Sequence, residues 1–264
     1  MKTKYIFNLK EKRLPPSIGN KAQNLRRLQD KGFLIPVTYV CTWEAYDLYL
    51  KNDIEMLTYL ESELRQIIDP NISYAVRSSA NLEDNFEHSF AGQFKTVLNV
   101  CGVSGVLQAI WAIWATTQSD EIRLYLQRIN PSQKKLRMAV IIQEMVLPIF
   151  SGVAFSKHPM TGMDETVIEV VKGQGDALVQ EGVTPYTYIN KWGVWIAKPA
   201  EDEIDLALMQ ELVDKTRQIS KIFRKEVDLE WVYDGEKFYW VQMREITTIK
   251  NIPVYSNSMA KERL

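Results

Sequence analysis

The stretch from Val227 to Glu245, VDLEWVYDGEKFYWVQMRE, constrains this chain more than any other, because it reads as two strands around an Asp234-Gly235 pair. Val227, Leu229 and Trp231 alternate with Asp228, Glu230 and Val232, while Tyr239, Val241 and Met243 alternate with Phe238, Trp240, Gln242 and Arg244. A period of two gives each strand one fully apolar face. With both apolar faces turned into one core, Asp228 and Glu230 share a side with Gln242 and Arg244. That pairing requires an odd-length loop, since a two-residue Asp-Gly turn would reverse the parity. A three-residue loop ending with Gly235 at positive φ meets the requirement. Two carboxylates, an amide oxygen and an arginine on one sheet face suit Mg²⁺, which selects hard oxygen ligands. A solvated face carrying an ordinary Arg–Glu pair is the other reading of the same residues.

The ribbon closes a β-rich half. Runs at 138–146 (MAVIIQEMV), 152–156 (GVAFS) and 166–171 (TVIEVV) read as strands, YTYIN with GVWIA as a hairpin, and the residues around 203–224 as a long amphipathic helix. The first half is mixed. Residues 17–31 read as a helix with Ser17 as N-cap and Gly32 as its end; strands are expected at 36–41, 73–79 and 96–100. Helices are expected at TWEAYDLYLK, IEMLTYLESELRQII, VLQAIWAIWATT and SDEIRLYLQRI, with Trp111 and Trp114 as core residues. With 46% hydrophobic residues over 264 positions, the expected build is two α+β lobes in one unit, changing over near 143–150.

Charge excludes several partners. The 32 basic and 33 acidic residues leave a net charge of -1, so no global field favours nucleic acid or anionic lipid, and any anion must be held locally. No apolar run spans a membrane and the N-terminus lacks a secretory pattern, so a cytoplasmic protein is expected. Cys41 and Cys101 form no CxxC and read as reduced core residues; His88 and His158 stand apart from other metal-type ligands and from any GxSxG. There is no GxxxxGK[ST], and Gly173 and Gly175 lack the third glycine of a dinucleotide loop.

Three further polar groups each admit two readings. Arg77, ending the apolar strand AVRSSA, suits a bidentate phosphate contact or a surface ion pair. Lys21 is a second phosphate candidate or a solvated lysine. In SFAGQ, Gly92 would let backbone N–H groups approach an anion, or simply make a turn. The IIQEMV run offers its backbone to an adenine edge or forms a buried strand.

In collinear order, GNKAQNL (19–25), AVRSSANLED (75–84), SFAGQFKTVLNV (89–100), IIQEMV (141–146), SGVAFSKHPMTG (151–162), GQGDALVQEGVTP (173–185), DLEW (228–231) and VQMRE (241–245) form a recognisable set. Together they resemble the N-terminal ATP-binding domain of the phosphoenolpyruvate synthase and pyruvate phosphate dikinase family. The resemblance implies an α+β, two-lobed ATP-grasp fold with a nucleotide cleft between the lobes, residues 1–145 forming one lobe, 146–250 the other, and 251–264 the start of a connecting segment. It implies ATP and Mg²⁺ as cofactors. Lys21 and Arg77 would bind phosphates, the loop with Ser89 and Gly92 would cover them, and the backbone of Gln143, Glu144, Met145 and Val146 would read adenine. Asp228, Glu230 and Gln242 match divalent-metal and nucleotide ligands, Arg244 a phosphate-facing arginine that acts in catalysis with Arg77, and Glu169 a ribose or nucleotide contact.

In that family a phosphoryl group passes from ATP through a histidine on a swivelling domain. Neither His88 nor His158 matches that carrier histidine, so the partner implied is a phosphohistidine carrier domain, in a longer chain or on a separate protein. The ending YSNSMAKERL resembles the family's connecting segment. Where relatives carry an arginine after SGVAF, this chain has Lys157, which lacks bidentate geometry. Two other functions share these features: the ATP domain of a rifampin-type antibiotic phosphotransferase, and a non-catalytic nucleotide-sensing module.

Overall fold

The structure, a computed structural model, describes residues 4–81, 95–120, 122, 135–173, 184–200 and 204–246. The chain divides into two compact units. The first takes in the chain up to Pro148 together with Val232–Met243, the second Ile149–Trp231 and the residues from Arg244.

In the first unit the elements run β1 (Ile6–Asn8), α1 (Gly19–Asp30), β2 (Thr38–Cys41), α2 (Trp43–Tyr49), α3 (Ile54–Ile67), β3 (Ser73–Ala80), β4 (Thr96–Cys101), α4 (Gly102–Thr116) and β5 (Met138–Glu144). The strands form an antiparallel sheet in the order β1-β2-β5-β3-β4, which puts the apolar run of β5 at its centre. A strand covered on both faces needs no polar alternation, and Met138 through Gln143 are all buried. Leu60 and Leu64 of α3 and Ile110, Ile113 and Trp114 of α4 join β3 and β5 in one core. Trp114 is fully buried and donates its indole N–H to Met138 O at 3.1 Å, which satisfies the ring's one polar group.

Two local expectations fail, and one element is unforeseen. Ser17 is not the N-cap of α1; it lies buried in a 3₁₀ turn, and the helix starts one residue after Ile18. Cys101 is exposed at the end of β4, its thiol 3.4 Å from Ser73 Oγ, while Cys41 is fully buried, and burial pushes its thiol up. The short strand β1 was not expected. It is held from a distance, because the Glu63 carboxylate accepts the N–H groups of Tyr5 and Ile6 at 2.7–3.1 Å.

The second sheet uses β6 (Phe150–Phe155), β7 (Thr166–Lys172), β8 (Tyr186–Lys191) and β9 (Val194–Ala197), then the helix α5 (Leu206–Phe223) and the strands β10 (Val227–Tyr233) and β11 (Phe238–Glu245). The order is β11-β10-β6-β7-β8-β9, with β6 through β9 pairing antiparallel. A Cβ on Gly152 of β6 would lie 1.9 Å from Glu169 O of β7, so only glycine lets these backbones come this close. The Asp205 side chain caps α5 by accepting the Ala207 N–H at 2.9 Å, and the helix buries Met209, Leu212, Val213 and Ile219. Among the described residues no helix is long and apolar enough to cross a membrane.

In the final hairpin, Ile246 N–H donates to Glu226 O at 2.9 Å, and counting inward from that bond sets Asp228 opposite Arg244. The tip is tighter than the three-residue loop that parity suggested. Asp234 N–H donates to Lys237 O at 3.3 Å across Gly235 and Glu236, and Asp234 Oδ1 accepts both the Glu236 and Lys237 N–H groups at 2.8 Å. Gly235 does take positive φ, 107°. The tip and base bonds are out of step by one residue, so an irregularity in the ladder, rather than the loop, keeps Asp228 and Arg244 on one side. Val227, Leu229 and Trp231 are buried as the alternation implies, but on β11 the buried residues are Phe238, Trp240, Gln242 and Met243, with Tyr239 and Val241 only half-buried. The Trp240 N–H donates to Leu34 O at 2.9 Å, which ties this part of the ribbon to the first unit.

Candidate functional site

In the first unit the site residues are gathered by β3. Gly19 opens α1 at φ 74°, and a Cβ there would lie 2.0 Å from Ser79 O. Ser79 Oγ donates to Ile18 O at 3.0 Å and accepts the Ala22 N–H at 3.2 Å, so a side chain of β3 supplies the cap that Ser17 does not. The first turn of α1, with half-buried Lys21, is thereby seated on β3 two residues beyond Arg77. The Arg77 guanidinium donates through Nη1 to Val241 O and through Nη2 to Gln242 Oε1, each at 2.9 Å. Two residues singled out from distant motifs therefore meet directly.

At the end of β5, the buried Gln143 side chain donates to Thr38 Oγ1 at 3.1 Å. The N–H groups of Glu144 and Met145 go to Val37 O and Ser73 O, both at 2.9 Å, and Met145 Sδ accepts from Asn99 N–H. This stretch is thus both a buried strand and an anchored exit whose direction is set by bonds on either side. Burial pushes the Glu144 carboxyl up, and Asp69 adds to the shift. Val146 follows directly, and Ser89, Gly92 and His88 lie outside the described residues.

In the second unit, Arg244 Nη2 lies 3.0 Å from Asp228 Oδ2 and 3.7 Å from Glu230 Oε1. Asp228 Oδ1 and Arg244 Nε are both buried and have no hydrogen-bond partner. Burial pushes the Asp228 carboxyl above its ordinary range; Arg244 opposes this, while Glu230 and Glu169 reinforce it. Glu169 sits on β7 between Val153 and Thr187 on its neighbours. His158 caps its own turn, with Nδ1 accepting the Met160 and Thr161 N–H groups at 3.3 and 3.4 Å.

Among the described residues no group of three His, Cys, Asp or Glu side chains is set to hold a metal by itself. Mg²⁺ rarely asks for one; it commonly takes one or two carboxylates and fills its octahedron with phosphate oxygens and water. Asp228 and Glu230, one with a buried oxygen lacking any donor, fit that demand. Sequence reasoning overlooked Ser79 and Gly152. A serine pair ending an apolar strand was the available sign for Ser79, because a buried hydroxyl needs a partner.

The chain spans between about a quarter and two fifths of the length of the curated relatives it matches. It is 31% identical to a phosphoenolpyruvate synthase of Pyrococcus furiosus over 67% of this chain and 26% of that protein. It is 33% identical to a rifampicin phosphotransferase of Bacillus subtilis over 70% of this chain and 24% of that protein. The solved structure of PH1788 from Pyrococcus horikoshii covers 85% of this chain and 89% of its own, with TM-score 0.50 and 13% identity. The α+β build with two antiparallel sheets is the one the ATP-grasp resemblance implied. Residues 53–200, more than half of the sequence, match the family described as pyruvate phosphate dikinase, AMP/ATP-binding domain, and the chain belongs to that family.

Proposed function

We propose that this chain binds ATP with Mg²⁺ and passes a phosphoryl group from it to a histidine on another domain or protein. The observation that carries this reading is Arg244 set against Asp228 and Glu230, with an unpartnered buried carboxylate oxygen, in a member of an ATP-binding family. Lys21, Arg77, Ser89 and Gly92 take the phosphates, and the backbone of 143–146 takes the adenine. Asp228, Glu230 and Gln242 hold the metal, Glu169 contacts the ribose or another part of the nucleotide, and Arg244 faces the transferring group. Phosphoryl transfer needs cations on the transferring oxygens and in-line alignment, and the bound metal supplies part of that charge. Arg77 and Arg244 supply the remainder and orient the chain of phosphates.

Relatives named for two different reactions share this region, which supports an acceptor chosen elsewhere in a longer protein. The rifampicin relatives make an antibiotic acceptor the second reading. Incubation with labelled ATP and a separately expressed histidine-bearing domain of a relative tests the transfer. Acid-labile label on the carrier is expected. Label that stays wholly in nucleotide, while the intact relative transfers it, would leave a nucleotide-sensing module instead.

A further inference from the structure

We infer that Arg244 is a stand-in cation, holding the Asp228 and Glu230 carboxylates until a divalent metal takes them, so that metal and nucleotide phosphates bind cooperatively. The inference rests on the nucleotide-binding reading above and concerns how that site is loaded.

The geometry is that of a placeholder rather than a finished ion pair. An arginine paired with a carboxylate frequently binds it through two parallel N–H···O bonds, which add specificity and energy. Here one nitrogen, Nη2, serves two carboxylates, at 3.0 and 3.7 Å. The Nε of the same guanidinium and the Oδ1 of Asp228 are both buried without a hydrogen bond. A donor and an acceptor left unmet beside each other mark a site whose own groups do not complete it.

Metal arriving alone would displace Arg244 from its carboxylates and leave a guanidinium without a counter-ion. Triphosphate arriving alone would draw Arg244 away and leave the buried Asp228 carboxylate without its cation. Arrival of both exchanges the partners: carboxylates to metal, guanidinium to phosphate. Each ligand thus removes the penalty of the other, and the coupling is reciprocal.

The test is Mn²⁺ binding to the whole chain without nucleotide, followed by the paramagnetic resonance of free Mn²⁺. Arg244→Met, which removes the charge and keeps the length, is expected to bind Mn²⁺ about tenfold more tightly than wild type, a typical size for such coupling. Arg244→Lys, which restores the charge, is expected to return the affinity to the wild-type value. Adding Asp228→Asn to Arg244→Met is expected to abolish the gain. Unchanged or weaker Mn²⁺ binding by Arg244→Met, with far-ultraviolet circular dichroism like wild type, would overturn the inference. Arg244→Gln gives the same decision should the methionine variant not fold. If the wild-type chain binds Mg-ATP while Arg244→Met leaves Mn²⁺ affinity unchanged, only this inference falls. If the wild-type chain binds no ATP with metal present, the nucleotide reading falls and takes this one with it.

Discussion

Gly19→Ala is expected to destabilise the chain by about 3–5 kcal/mol, a large part of a typical domain's stability, and to weaken nucleotide binding in whatever remains folded. Two costs combine at this position. The φ of 74° is strained for any residue with a Cβ, and that Cβ would sit 2.0 Å from Ser79 O and 2.6 Å from Ser79 C, both backbone atoms of a central strand. Neither atom can move without breaking the pairing of Ser79 with Ala139. Displacing α1 would also break the Ser79 bonds to Ile18 and Ala22, and with them the seat of Lys21 beside the strand that carries Arg77. Gly32→Ala is the internal control. It has φ 83° but open space around it, so it is expected to lose only about 1 kcal/mol. Urea unfolding of both variants separates contact from φ; equal losses would remove the docking role assigned to Gly19.

Asp228→Asn is expected to cut metal-dependent ATP affinity roughly 100-fold, about 2.8 kcal/mol, which is within the range for a lost charged contact, while leaving folding stability at pH 7 equal or higher. Burial holds the Asp228 carboxyl above its ordinary range despite Arg244. Its charged form is therefore costlier in the folded chain than in the unfolded one. Such a group favours folding most at pH below the ordinary carboxylate range, and that contribution is lost as pH rises through its folded value. The cost of the charged form grows as pH rises through the folded value, and the neutral amide removes it. The thermal midpoint of the variant should exceed that of wild type at pH 7, and the gap should shrink toward pH 4. A variant that melts earlier at pH 7 and still binds Mg-ATP would show a structural carboxylate rather than a ligand.

Regular elements were legible where periodicity was long. The alternation of β10, the apolar run of β5 and the helical spacing of α3 and α5 each survive in the fold because burial enforces them. What escaped depends on groups far apart in sequence. β1 is only three residues long and relies on Glu63; α1 is capped from β3 by Ser79 rather than by Ser17. On β11, alternation alone cannot tell which face is covered, and the side bearing Trp240 and Gln242 is buried.

The candidate site was legible as a list of charged and amide residues, but not as a set of pairs. Arg77 and Gln242 are 165 residues apart, and nothing local to either shows that one donates to the other. The same holds for Glu169, whose influence on Asp228 comes from a strand whose sequence reads as plain core.

Calorimetric titration of the chain with ATP, once with Mg²⁺ and once with a chelator, is the most direct measurement. The expected result is saturable binding that requires the metal and is weakened at least about tenfold in both Arg77→Ala and Glu230→Ala. Absence of binding with Mg²⁺ present, or equal affinity in wild type and both variants, would contradict it.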